Sequence, residues 1–159
     1  IKKIIKVKPD IKFSSDFIIG YPSETYDDFK KTLQIMSKIK FINSFSFIFS
    51  ARPGTPAFNL NKIDEKVSRD RLIEFQHTAA NIKTDYRKKL VNKTAKVLFE
   101  NKMKSGNKYF GRDEYFNSVI VESKNNLTGK IKNVKILKVN QTTLFGDIVP
   151  NLNQTDHAA

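Results

Sequence analysis

Cysteine is missing from all 159 residues. Neither a disulfide framework nor a thiolate metal centre can therefore be built from this chain. Histidine is almost as scarce: His77 and His157 are the only two, which excludes a zinc site of the usual kind. No run of about 18 apolar residues occurs, and no signal-peptide pattern; Ile1 to Val7 is short and interrupted by lysines. A soluble cytoplasmic protein without a membrane partner is the expectation. Acidic residues are the last shortage. Lys and Arg number 29 against 16 Asp and Glu, which gives a net charge of +13. A balance so far from neutral favours a polyanionic partner, nucleic acid or an anionic membrane surface, and nucleic acid is the stronger reading. A Lys- and Asn-rich composition set by codon usage is the bland alternative. The chain opens on Ile1 inside an apolar-basic pattern, which predicts an upstream piece.

What is present is enough for a core: 39% hydrophobic residues, 13 of the chain's residues being Phe. Ile1, Ile4, Ile5 and Lys8 have helical spacing and stop at Pro9-Asp10, like the tail of a helix. Ile11–Gly20 reads as a strand, with Phe17-Ile18-Ile19 suited to burial on both faces. After a turn through Pro22, Thr25 is positioned to cap a helix with Asp28 in a capping box. Phe29, Leu33, Met36 and Ile39 then make one apolar stripe, with Asp27 and Asp28 in the first turn and Lys38 and Lys40 at the end. Phe45–Ser50 alternates aromatic and small residues as a second strand, also expected to be covered on both faces. Strand, helix and strand in this order predict a βαβ unit with parallel strands. A long helix follows from Asp64 to about Leu90, striped by Val67, Leu72, Phe75, Ala79, Ile82, Tyr86 and Leu90. Arg69, Glu74, Lys83 and Arg87 fall off that stripe.

Beyond Leu90 the helical period disappears and β-branched residues rise. Short strands are predicted at Thr94–Glu100, Lys108–Arg112, Ser118–Glu122, Lys130–Val139 and Thr142–Val149, separated by Ser105-Gly106-Asn107, Asn125-Asn126 and Asn140-Gln141. Five strands around so small a core predict an OB-like barrel. From Arg87 onward 14 Lys and Arg face 6 Asp and Glu, a balance of +8. Lys96, Lys108, Arg112, Lys130, Lys132 and Lys135 lie on or beside strands and are the candidate RNA-binding residues. Tyr109, Phe110, Tyr115 and Phe116 interleave with them as candidate base-stackers; in the plainer reading at least half of these aromatics are core. Asn151–Ala159 reads as a frayed, polar tail.

Two loops stand out chemically. In FSFIFSARPGTPA, Pro53 and Pro56 stop the strand and hold Arg52 on a stiff turn at its C-terminal end, the edge at which parallel sheets bind ligands. In SDFIIGYPSET, Gly20 allows close backbone approach beside the apolar Ile18-Ile19. Gly20 could equally serve only the turn from strand to helix. Arg52 could grip a ligand carboxylate bidentately or form an internal ion pair with Asp16 or Glu24.

These two motifs, in this order and spacing, resemble the radical S-adenosylmethionine (SAM) methylthiotransferases, and the resemblance extends from the first residues to about Pro150. It implies α/β followed by all-β: the C-terminal βα units of a partial (β/α) radical SAM barrel in residues 1–90, then a TRAM RNA-binding barrel in residues 91–150 and a tail at 151–159. It implies SAM contacts at Asp16, Ile18, Gly20, Ser50 and Arg52. Ser23 departs from the pattern, which has glycine there, so a stiffer or shifted loop is expected. Complete relatives hold two [4Fe–4S] clusters; this chain has no cysteine for either, so it is expected to be inactive alone and to carry no catalytic or metal-binding residue. The implied activity is methylthiolation of C2 of N6-dimethylallyladenosine beside the tRNA anticodon, in a full-length enzyme that is monomeric, with the anticodon stem-loop as partner. The alternatives are the same chemistry on threonylcarbamoyladenosine, or a non-enzymatic RNA-binding module.

Overall fold

The computed structural model describes residues 1–150, and these form two compact units. The first spans Ile1–Lys83 and the second begins at Thr84. The expected tail at 151–159 lies outside the described residues.

In the first unit, helix α1 (Lys2–Val7) is followed by strand β1 (Ser14–Ile19), helix α2 (Tyr26–Ile39) and strand β2 (Asn43–Ile48). β1 and β2 pair in parallel, with Asp16 opposite Phe45 and Ile18 opposite Phe47. A 3-10 turn at Pro56–Asn59 leads to helix α3 (Glu65–Lys88), which continues past the end of this unit. The Thr25 capping box forms as expected. The Thr25 hydroxyl accepts from the Asp28 N–H at 3.2 Å, and the Asp28 carboxylate accepts from the Thr25 N–H at 3.2 Å and hydroxyl at 2.7 Å. At the other end, Lys40 takes a left-handed φ of 57° and its N–H returns to the Met36 carbonyl. The α2 stripe is buried through Phe29 and Met36, with Leu33 and Ile39 half-buried beside them.

The core of this unit lies on one face of the two-stranded sheet. Ile19, Phe29, Met36, Phe41 and Phe75 are buried, with Phe13, Phe17, Leu72, Ala79 and Ile82 packed against them. Phe17 meets Phe41 edge-on at 5.5 Å and Phe75 at 4.7 Å between ring centres. The expectation that both strands are covered on both faces is overturned. Ile18 is 60% exposed and Phe45 and Phe47 are each 59% exposed, because among the described residues nothing lies over that side. The α3 stripe also needs correction. Val67 is 40% exposed, while Ser68 is buried. Arg87, expected off the stripe, is 6% exposed because it belongs to the second unit and turns toward Asn117 there.

The second unit is a closed five-stranded barrel in the order β3-β4-β5-β7-β6, with β6 returning to β3. Its strands are β3 (Thr94–Lys102), β4 (Lys108–Asp113), β5 (Ser118–Glu122), β6 (Ile131–Val139) and β7 (Thr143–Val149). Only the β5–β7 pairing is parallel. Alternation places Val97, Phe99, Tyr109, Val119, Val121, Val134, Ile136 and Leu144 inside, with Leu127 closing the core from a loop. Bulges between Phe99 and Asn101 and between Ile136 and Lys138 bend the strands for closure. Gly146 sits where any Cβ would collide with the Lys135 carbonyl, so the neighbouring strand can approach only glycine. The unit takes in the last turn of α3, so it starts earlier than the expected 90/91 boundary.

The capping box generates a pH prediction. The Thr25 hydroxyl above all, then the Lys31 ammonium, holds the Asp28 carboxyl at about 2. A carboxyl depressed on folding stabilises above its unfolded pKa, and that contribution is lost as pH falls toward about 2. Carbon NMR titration should find the Asp28 midpoint near that value, and Thr25→Ala should raise it into the ordinary carboxylate range. A wild-type midpoint already in that range contradicts the assignment.

Candidate functional site

The expected SAM-contacting residues collect on the uncovered face of the β1–β2 sheet and at its C-terminal edge. Asp16 and Ile18 share that face with Phe45 and Phe47, their register partners. Gly20 ends β1, while Ser50 and Arg52 lie just past the end of β2 and are exposed. The edge is drawn together by the Phe49 N–H, which donates to the Ile19 carbonyl at 2.8 Å, and by Tyr21 packing edge-on against Phe49. The Arg52 carbonyl accepts from the Thr55 N–H at 3.3 Å and hydroxyl at 2.8 Å, which fixes the proline turn and leaves the guanidinium outside it.

Gly20 is constrained twice over. Its φ is +74°, and a Cβ there would stand 2.6 Å from the Ser68 hydroxyl oxygen on α3. The close approach it permits within this chain is thus between the β1–α2 loop and α3. Ser23, where the motif has glycine, takes a φ of 70°, so the loop keeps a left-handed conformation despite the side chain.

Sequence reasoning missed the interaction that holds this loop. Arg71 on α3 forms an ion pair with Glu24 at 2.7 Å, and the same nitrogen donates to the Glu24 carbonyl at 2.9 Å. Glu24 also accepts from the Gly20 N–H at 3.2 Å. Both side chains are about nine-tenths buried, at 11% and 10% exposure. The internal ion pair considered for Arg52 is therefore corrected: Glu24 is taken by Arg71, and among the described residues Arg52 makes no ion pair. The only sequence signal was Arg71 beside the apolar Leu72, too common a pattern to identify a partner.

In the barrel, the six candidate cations do not gather on one face. Lys96 and Lys135 are exposed on the outer surface of β3 and β6, next to each other through Asn133 and Thr94. Lys108 and Arg112 are on the outer side of β4, and each has an acidic partner, Glu122 at 3.6 Å and Glu100 at 3.0 Å. Lys130 precedes β6, and Lys132 follows the inward parity of Val134 and is half-buried at the barrel end. Of the candidate stackers, Tyr109 is core, Phe110 and Tyr115 are half-buried, and Phe116 is 72% exposed. Phe110 faces outward with the Arg112 guanidinium 5.4 Å from its ring centre.

A buried polar knot closes one end of the barrel. Asp113 accepts from the Tyr115 and Asn117 N–H groups at 2.9 and 2.8 Å and from the Asn117 side chain at 2.8 Å. Arg87 donates to the Asn117 side-chain oxygen at 3.4 Å and to the Gln141 carbonyl. Burial pulls the Arg87 guanidinium below its ordinary value, and the Asp113 charge works against that. Burial first, then Asp113, pushes the Tyr86 hydroxyl up.

Residues 88–149, which contain this five-stranded barrel, match the TRAM domain. Over most of its length the chain is homologous to part of proteins named tRNA-2-methylthio-N(6)-dimethylallyladenosine synthase. The relative from Pelagibacter ubique is 50% identical over 92% of this chain, that from Vesicomyosocius okutanii 41% over 96%, and that from Wolbachia pipientis 38% over 92%. The matched portion is 33%, 35% and 34% of those relatives, so the chain spans about a third of their length.

Removing one member of a buried ion pair leaves the other charge uncompensated. Glu24→Ala should therefore cost about 3 kcal/mol in urea denaturation, and adding Arg71→Met should recover most of it. An unchanged urea midpoint for Glu24→Ala would show that Arg71 is already solvated.

Proposed function

We propose that this chain is the SAM-contacting and RNA-gripping part of a tRNA methylthiotransferase acting on N6-dimethylallyladenosine beside the anticodon. β1 and β2 are then the last strands of a (β/α) barrel whose interior is their uncovered face. The observation that carries the reading is that face: Ile18, Phe45 and Phe47, all more than half exposed, beside Asp16, with Arg52 exposed past the end of β2 and in no ion pair among the described residues.

Those residues fit SAM chemically. An adenine ring takes the apolar surface of Ile18 and the backbone at Gly20. Arg52 presents a fork that matches the methionine carboxylate, and Asp16 offers an acceptor to its ammonium or to ribose hydroxyls. SAM, once bound, supplies the methyl group and the means of taking hydrogen from the base. Iron–sulfur ligation does not fit this chain, which has no cysteine, so the cluster-dependent steps belong to residues outside it. The barrel's part is to hold tRNA, with Lys96 and Lys135 as phosphate contacts: both are exposed and, among the described residues, in no ion pair, although Asp147 stands opposite Lys135 in the strand register.

The test is a chimaera in which this chain replaces the matching third of the Pelagibacter ubique relative, with tRNA from expressing cells analysed by mass spectrometry. The 2-methylthio mark should appear. Arg52→Lys in the chimaera should raise the KM for SAM about ten-fold, since a point charge cannot reproduce the bidentate grip. A folded chimaera that binds tRNA yet leaves N6-dimethylallyladenosine unmodified contradicts the assignment.

The phosphate grip has its own check. Lys96→Ala with Lys135→Ala should reduce the log–log salt slope of RNA binding by about 0.7 to 0.9 for each phosphate no longer neutralised. Lys108→Ala with Arg112→Ala should change it less, as those cations are already paired. The reverse order would move the interface to β4.

A further inference from the structure

Phe116 combines two costs that proteins normally avoid. It is the most exposed aromatic side chain of the barrel, at 72%, and its φ is +60°. A bulky residue in the left-handed region is a strained outlier and persists only where its surroundings leave no alternative. Here the surroundings are explicit. The β4–β5 loop is tied at both ends, the Asp113 N–H to the Asn117 carbonyl at 3.1 Å and the Phe116 N–H to the Asp113 carbonyl at 3.0 Å. The Asp113 carboxylate holds the backbone on either side of Phe116, through Tyr115 and Asn117. Asn117 is in turn held by Arg87, and Tyr115 stands edge-on to Tyr86 at 6.4 Å between ring centres. The loop is therefore rigid. Its one solvent-facing ring is mostly uncovered by the described residues, and glycine or asparagine would occupy the position with less strain.

We infer that Phe116 is a base-stacking residue, held out at the barrel end to receive an unpaired base of single-stranded or loop RNA. The inference rests on the RNA-binding reading above and gives it a contact point. Charge favours RNA over an apolar protein partner. Lys88 and Lys89, both exposed, follow directly on the Arg87 that braces the loop. Phosphates on either side of a stacked base would meet these cations. A ring fixed in advance loses no ordering entropy on binding, and stacking tolerates any base, because every base has a π-face.

The test uses the whole chain and a labelled RNA hairpin with an unpaired loop, compared with a fully paired duplex of the same stem, by fluorescence anisotropy. Phe116→Gly should weaken hairpin binding about ten-fold, leave duplex binding and the salt slope unchanged, and leave Tm equal or higher because the strain is relieved. Phe116→Trp should keep hairpin affinity. Hairpin binding unchanged in Phe116→Gly, with wild type binding RNA, would overturn this inference alone and turn the exposed ring toward a protein partner. Equal losses on hairpin and duplex, or a lowered Tm, would overturn it by showing that the ring supports the fold. A wild-type chain that binds neither RNA would remove the RNA-binding reading and this inference with it.

Discussion

A parallel strand pair covered on one face only is the constraint from which the rest of the first unit follows. β1 and β2 satisfy each other's backbone along one edge and bury Phe17 and Ile19 under α2 and α3. Their other face offers Ile18, Phe45 and Phe47 to solvent, an apolar surface that isolated sheets do not keep without a use. Arg71 and Glu24 matter because they hold the loop at the C-terminal edge of this pair against α3. Gly20 permits the approach, and the ion pair fixes it.

The second unit solves the opposite problem. Its strands close on themselves, so no edge is left for pairing, and function is displaced to the outer surface and the barrel end. Tyr109 is consumed by the core, while Phe116 escapes only because a polar knot around Asp113 forces the loop outward. The buried Arg87 is costly to desolvate, and what it secures is a loop of one defined shape.

Local chemistry made much of this legible from sequence. Thr25 and Asp28 announce a capping box, the α2 stripe announces its buried side, and the period-two segments after Leu90 locate the barrel strands to within a residue or two. What sequence could not supply was whatever depends on distant partners. Phe45 and Phe47 look buried by composition, yet exposure is set by whether another layer is present. Glu24 and Arg71 are far apart in the chain, and no local pattern pairs them. The lysines beside strands were legible as a charge excess, but which of them close an ion pair depends on side-chain geometry across strands: Lys108 meets Glu122 at 3.6 Å, while Lys135 stands opposite Asp147 without an ion pair among the described residues. Arg87 lies off the helical stripe and is buried nonetheless, because its neighbours are in the barrel and not on the helix.

In the function proposed above, the barrel holds RNA and the open sheet face is left for a small ligand. Ultraviolet cross-linking of the chain to a short RNA hairpin, followed by peptide mass spectrometry, tests that division most directly. Cross-links should fall in peptides from Thr84 onward, from β3, β6 and the β4–β5 loop. Cross-links concentrated on β1 and β2 would contradict it.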